Sequence, residues 1–225
     1  MGELERLFDG VLPRLVMFDL DGTLVDSVPD LAAAVDQVLA LRGRPAAGIA
    51  RVKDWVGNGA LVLVRRALAG SIEHAEVDED EAQAALADFM QAYSGGHAAT
   101  TVYPGVPALL DWLRARQVAL AVITNKPERF VAPLLEEKGL GRFDWIIGGD
   151  TLPVKKPDPA GLLQVMTAAG ATAQQSLFVG DSRNDVLAAR AAGVRVVAVS
   201  YGYNHGRSVA LEDPDLLVDS LDALI

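Results

Sequence analysis

Short stretches of the chain are apolar without alternation and rich in β-branched residues: RLVMF (14–18), VALAVIT (118–124), WIIG (145–148), SLFVG (176–180) and VRVVAV (194–199), with a weaker DLLVD (215–219) after them. A strand with one wet face alternates apolar and polar residues, so continuous apolarity predicts strands covered on both faces, as in a parallel sheet. Parallel neighbours need a crossover between them, and helical patterns stand between these runs. Residues 104–117 carry Val106, Leu109, Leu110 and Leu113 at helical spacing, and residues 158–170 and 182–193 each end in Gly, as helices often do. Residues 127–139 read as a weaker helix, interrupted by Pro133 and closed by Gly139. The alternation predicts an α/β protein with a doubly wound, Rossmann-like parallel sheet.

One interval is too long for a crossover. More than ninety residues separate Thr23 from Val118, whereas a crossover needs about 12. Helical patterns at 30–43, 59–70 and 80–93 fill much of it, and Gly95-Gly96 lies near its far end. The expectation is an α-helical insertion over residues 27–98, leaving an α/β core built from 1–26 plus 99–225.

Composition narrows the partners. The chain has 225 residues, 51% of them hydrophobic and 22% charged, and 20 Lys plus Arg against 30 Asp plus Glu give a net charge of −10. A chain so acidic is expected to bind neither nucleic acid nor anionic membrane. The absence of Cys excludes thiol catalysis and a disulfide framework, and fits a reducing compartment. No apolar run approaches the ~18 residues of a membrane span, and the first ten residues contain Glu3, Glu5, Arg6 and Asp9 rather than a signal-peptide core. The expectation is a cytoplasmic protein, monomeric or homodimeric.

Ligands of open α/β sheets sit outside the carboxyl ends of the strands, and polar clusters fall at four such ends. The first strand ends in Asp19-Leu20-Asp21-Gly22-Thr23, and the strand at 118–123 in Thr124-Asn125. WIIG is followed by GDTLPVKKPDP with Lys155 and Lys156, and SLFVG by GDSRND with Asp181 and Asp185. Phosphoryl transfer calls for these residue types: an in-line nucleophile, a proton donor for the leaving group, and cations on the non-bridging oxygens. A carboxylate can accept the phosphoryl group, and Mg²⁺ prefers carboxylate and water oxygens. Lys supplies a point charge, Thr a hydroxyl donor, and backbone N–H groups around Gly22 an anion cradle.

Four carboxylates against one Mg²⁺ and one Lys leave a surplus negative charge, which should push a proton onto one acid. Asp21 is expected to hold it, protonating the leaving oxygen and later activating water. A calcium loop starting at Asp19 is excluded because its sixth position, which requires Gly, is Leu24.

The set resembles the haloacid dehalogenase superfamily of aspartate-nucleophile phosphatases. DLDGT is similar to its first motif, Thr124 to its second, Lys156 before Pro157 to its third and GDSRND to its fourth. The family also places a helical cap between the first motif and the second strand, so the resemblance spans nearly the whole chain. It implies Asp19 as nucleophile and Asp21 as acid/base. It also implies Mg²⁺ held by Asp19, the Asp21 backbone carbonyl and Asp181, with Asp185 ligating directly or supporting its water shell. Thr124 and Lys156, with Asn125 and Gly22 beside them, would bind the phosphoryl oxygens. The substrate so implied is a small anionic phosphorylated metabolite, 2-phosphoglycolate above sugar phosphates, nucleotides or pyrophosphate. A dehalogenase is disfavoured because such enzymes lack the second acid.

The rivals are a phosphomutase, which would return the phosphoryl group to a sugar, and a phospho-acceptor signalling domain. The latter carries its acceptor Asp on a later strand with no large helical insertion behind it. For substrate selection the candidates are Gly57, Asn58 and Gly59 of VGNGA, together with Arg65 and Arg129.

Overall fold

A computed structural model describes residues 2–225. After a short N-terminal helix α1 (Glu3–Leu7), strand β1 (Leu15–Phe18) enters a six-stranded sheet. The chain then forms β2 (Val25–Asp26), helices α2 (Val28–Leu41), α3 (Gly48–Trp55), α4 (Ala60–Ala69) and α5 (Glu79–Tyr93), and β3 (Thr101–Val102). From there α6 (Val106–Ala115), β4 (Ala119–Ile123), α7 (Val131–Glu137), β5 (Trp145–Ile147), α8 (Ala160–Ala169), β6 (Ser176–Gly180), α9 (Arg183–Ala191), β7 (Arg195–Val199) and β8 (Leu216–Val218) complete the molecule.

The large sheet runs β5-β4-β1-β6-β7-β8 and every pairing is parallel. Each expected strand is present within one residue or so at either end. The side chains of β1 explain its unbroken apolarity. Val16 and Phe18 enter a core shared with Leu109 and Leu113 of α6 and Leu134 of α7, while Leu15 and Met17 enter a second core with Leu162 of α8 and Ala188 of α9. Both faces of the strand are dry, so neither can be polar.

After β1 the chain builds outward through β4 and β5, and then crosses to the other side of β1 to add β6 and β7. The order reverses beside β1, which opens a crevice at the carboxyl ends of β1 and β6. Pro133 does not break α7 because it stands in the first turn, where its missing N–H costs no helical bond.

Between β1 and α6 the chain leaves and returns through an antiparallel pair, Val25 opposite Val102 and Asp26 opposite Thr101. Helices α2 to α5 pack around their own apolar centre, which includes Val35, Val52, Val64 and Phe89, joined by Phe130 and Tyr203 from outside these helices. The paired strands and α3 were not expected from the sequence. No helix among the described residues is long and apolar enough to cross a membrane.

Candidate active site

Asp19 follows the last residue of β1, and its N–H donates to the Val179 carbonyl of β6 at 2.9 Å, extending the parallel ladder. That bond fixes the carboxylate at the crevice. Lys156 Nζ lies 2.9 Å from Asp19 Oδ1 and 2.7 Å from Asp185 Oδ1. The ammonium is aligned for a hydrogen bond only with Asp185, so Asp19 Oδ1 is buried with no hydrogen-bond partner. Lys155, by contrast, is exposed.

Asp181 and Asp185 follow β6. Asp181 Oδ1 accepts from the Thr23 hydroxyl at 2.8 Å and Oδ2 from the Tyr203 N–H at 2.5 Å. Asp185 Oδ2 accepts from the Asp181 and Ser182 N–H groups, each at 3.0 Å, and from the Ser182 hydroxyl at 2.7 Å. This caps the start of α9 and aims Oδ1 at Lys156. Carboxylate oxygens of Asp19, Asp181 and Asp185 all lie within 4.8 Å of one another.

Burial and mutual repulsion dominate the electrostatics. Burial first, and then the Asp185 charge, push the Asp19 carboxyl up to about 7 against the opposing pull of Lys156. Asp181 is raised well above the ordinary range by burial and by its two acidic neighbours. At Lys156 burial pulls the pKa down, but Asp185 and Asp19 outweigh it and the net shift is upward. Three converging buried carboxylates, one with an unpartnered oxygen, suit a hard divalent cation, which would reverse the cause of the upward shifts.

The Asp21 side chain turns away from this cluster. Its Oδ1 accepts from the Ser27 hydroxyl at 2.6 Å, and its two oxygens accept from Lys126 Nζ at 3.1 and 3.2 Å. Lys126 is a second buried ammonium at the site and is absent from the charge tally made on the sequence. With it, four carboxylates would be balanced by a divalent ion and two ammonium groups, and no surplus would remain before substrate enters. The only available signal was its position directly after Thr124-Asn125. Thr124 is buried at the end of β4, and its Oγ1 accepts from the Lys126 N–H at 3.2 Å, which leaves the hydroxyl hydrogen free to donate.

Several expected contacts take another form. The Gly22 N–H donates to the Val25 carbonyl at 2.8 Å, so it is not part of an anion cradle. The glycine is required for space instead: with φ at +93°, a Cβ there would stand 2.3 Å from Asp181 Oδ2. Both amide hydrogens of Asn125 are spent, at 2.9 Å each, on the Gly57 and Lys156 carbonyls. Its side chain therefore ties loops together rather than donating to phosphate.

Gly57 and Gly59 do line the cleft, but Gly57 offers its carbonyl to Asn125 and Asn184. Asn58 is not among the lining residues, and its Oδ1 is buried without a partner. Arg65 reaches Glu79 and the Val77 carbonyl, away from the cleft. Arg129 lies over the Phe130 ring and reaches the Met90 carbonyl in a groove between α5 and α7.

The cleft runs from Asp19 and Asp21 to the inner surface of α4 and α5. Such a crevice at a topological switch point, with converging acids, a buried Lys and a free hydroxyl, defines a hydrolase-type α/β site closed by helices. Residues 13–193 match the haloacid dehalogenase-like hydrolase family, and the chain belongs to it. Over its full length the chain is 65% identical to a phosphoglycolate phosphatase of Pseudomonas fluorescens and 66% identical to phosphoglycolate phosphatase 1 of Pseudomonas aeruginosa, covering 83% of each. It is also similar to the crystal structure of a predicted phosphoglycolate phosphatase from Haemophilus somnus, with 39% identity and a TM-score of 0.85 over 93% of this chain and 95% of that one.

Proposed function

We propose that the chain is a phosphomonoester hydrolase that passes through an aspartyl-phosphate on Asp19 and that its substrate is 2-phosphoglycolate. The observation that carries this reading is the meeting of Asp19, Lys156, Asp181 and Asp185 at the adjoining ends of β1 and β6. The names of the relatives, at 65 and 66% identity over the whole chain, support the substrate.

Asp19, the Asp21 backbone carbonyl and Asp181 would hold Mg²⁺, and Asp185 orients Lys156 beside them. The bound ion would screen the carboxylates and take up charge on the non-bridging phosphoryl oxygens. A carboxylate oxygen of Asp19 forms a bond to phosphorus as the ester P–O bond breaks. Lys156 and the Thr124 hydroxyl neutralise and orient the phosphoryl oxygens. A phosphate dianion restores the negative surplus that Lys126 removes, so its binding draws a proton from solvent onto Asp21, the proton that the leaving alkoxide requires. Asp21 delivers it, releasing glycolate. Asp21 then takes a proton from water as that water attacks phosphorus, freeing phosphate and regenerating Asp19. Residues 27–98 serve as the cap whose helices exclude bulk water during the first step.

The test is phosphate release from a panel of phosphorylated metabolites that includes 2-phosphoglycolate, with and without EDTA, for the wild type and Asp19→Asn. Metal-dependent release that is highest on 2-phosphoglycolate and abolished in a folded Asp19→Asn protein is expected. Turnover by that variant would remove Asp19 as the nucleophile, and a different best ester would remove the substrate.

A further inference from the structure

The phosphoryl chemistry leaves Lys126 without a direct task, yet the fold buries it in the cleft. The residue is 6% exposed and lines the same space as Asp19 and Thr124. Its ammonium touches Asp21 at 3.1 and 3.2 Å and donates to the Tyr93 hydroxyl of α5 at 2.7 Å. Burial pulls its pKa down, but the Asp21 carboxylate and the Tyr93 oxygen outweigh this and hold it above the ordinary value. An ammonium has three N–H groups. The two Asp21 oxygens lie side by side and share one direction, the Tyr93 hydroxyl takes a second, and no acceptor from a third residue is found among the described residues. Leu63, Phe89 and Phe130 give the same cleft an apolar part.

Position says what the free direction suits. The acid that protonates a leaving oxygen must come within roughly 2.6–3.2 Å of it. Lys126 lies at contact distance from that same acid, so its ammonium faces the first atoms beyond the leaving oxygen. In 2-phosphoglycolate the carboxylate carbon is two bonds from the ester oxygen, about 2.4 Å away. We propose that Lys126, steadied by the Tyr93 hydroxyl, binds the substrate carboxylate and selects esters that carry an acid one carbon from the ester oxygen. This rests on the reading of the chain as a 2-phosphoglycolate phosphatase. An ester lacking the acid leaves a buried N–H without an acceptor, and a site built for a polar partner rejects such an analogue strongly.

Ethyl phosphate keeps the substrate's skeleton through the second carbon and lacks only the acid, so the two esters form the probe pair. Their kcat/KM ratio is to be measured for wild type, Lys126→Met, Lys126→Arg and Tyr93→Phe. Removing one partner of a buried charge pair should lower kcat/KM on 2-phosphoglycolate by about a hundredfold or more, chiefly through KM. Ethyl phosphate should fall far less, so the ratio collapses; Lys126→Arg should recover part of it and Tyr93→Phe should shrink it about tenfold. Equal losses on both esters would overturn the proposal, because Lys126 would then act only through Asp21. So would an unchanged ratio in Lys126→Met or, should that variant not fold, in Tyr93→Phe. A wild type that hydrolyses other esters without preferring 2-phosphoglycolate would end the substrate reading itself and this proposal with it, before any variant is made.

Discussion

The Cα of Gly22 and the carboxylate of Asp181 compete for one space: a Cβ on Gly22 would fall 2.3 Å from Asp181 Oδ2 and 2.8 Å from its Cγ. The two residues belong to the loops after β1 and β6, so the glycine is what lets these loops close on each other. Gly22→Ala should therefore push Asp181 off the cluster and strain a backbone held at φ +93°. Activity should fall by about 10- to 100-fold or more, with a raised Mg²⁺ requirement, as when a ligand's supporting residues are lost. Steady-state kinetics against metal concentration check this; an unchanged metal dependence would show that Asp181 does not hold the ion.

The raised carboxyls give the metal-free protein a definite pH response. A group whose pKa is higher folded than unfolded contributes stability at low pH that is lost as pH rises through the folded value. Asp19, pushed up to about 7, and Asp181, also raised, both have this sign. The melting temperature of the EDTA-treated chain should fall from about pH 5 to about pH 8 through this contribution. Added Mg²⁺ binds the ionised carboxylates, so its stabilisation should be larger at about pH 8 than at about pH 5. Thermal melts at both pH values measure it, and an increment independent of pH would dissociate the raised carboxyls from the metal site.

What could be read in the sequence was what depends on neighbours along the chain. The dry strands announced themselves because both faces of β1 meet apolar cores, and the acids proposed to be catalytic were singled out because strand ends in such folds face the ligand. The sequence could not show which distant group each polar side chain meets. Lys126 pairs with Asp21, 105 residues away, and with Tyr93, 33 residues away, and no spacing rule links them. Arg65 and Arg129 carry the right charge for an anion, but their orientation is decided by Glu79, Val77 and Met90. The paired strands β2 and β3 have two residues each, too few for a period, and the eight-residue α3 is little longer than two turns.

The Gly57 carbonyl is one place where the helical insertion is tied to the sheet domain. It accepts from Asn125 Nδ2 at 2.9 Å and from Asn184 Nδ2 at 3.1 Å. The donors come from opposite sides of the crevice, one after β4 and one in α9. Asn125 also serves the Lys156 carbonyl, so its loss would disturb the proposed phosphoryl site directly, whereas Asn184 bonds only to Gly57 through this amide. Asn184→Ala therefore isolates the tie. One net hydrogen bond of about 0.5–1.5 kcal/mol should raise KM by roughly 2- to 10-fold through a larger open population, with kcat little changed. Amide hydrogen exchange in α3 and α4 should speed up by a similar factor while β1 and β6 stay protected. Faster exchange across the whole chain would mean that Asn184 supports the fold generally, and no change in exchange or KM would mean that the insertion is held without this bond.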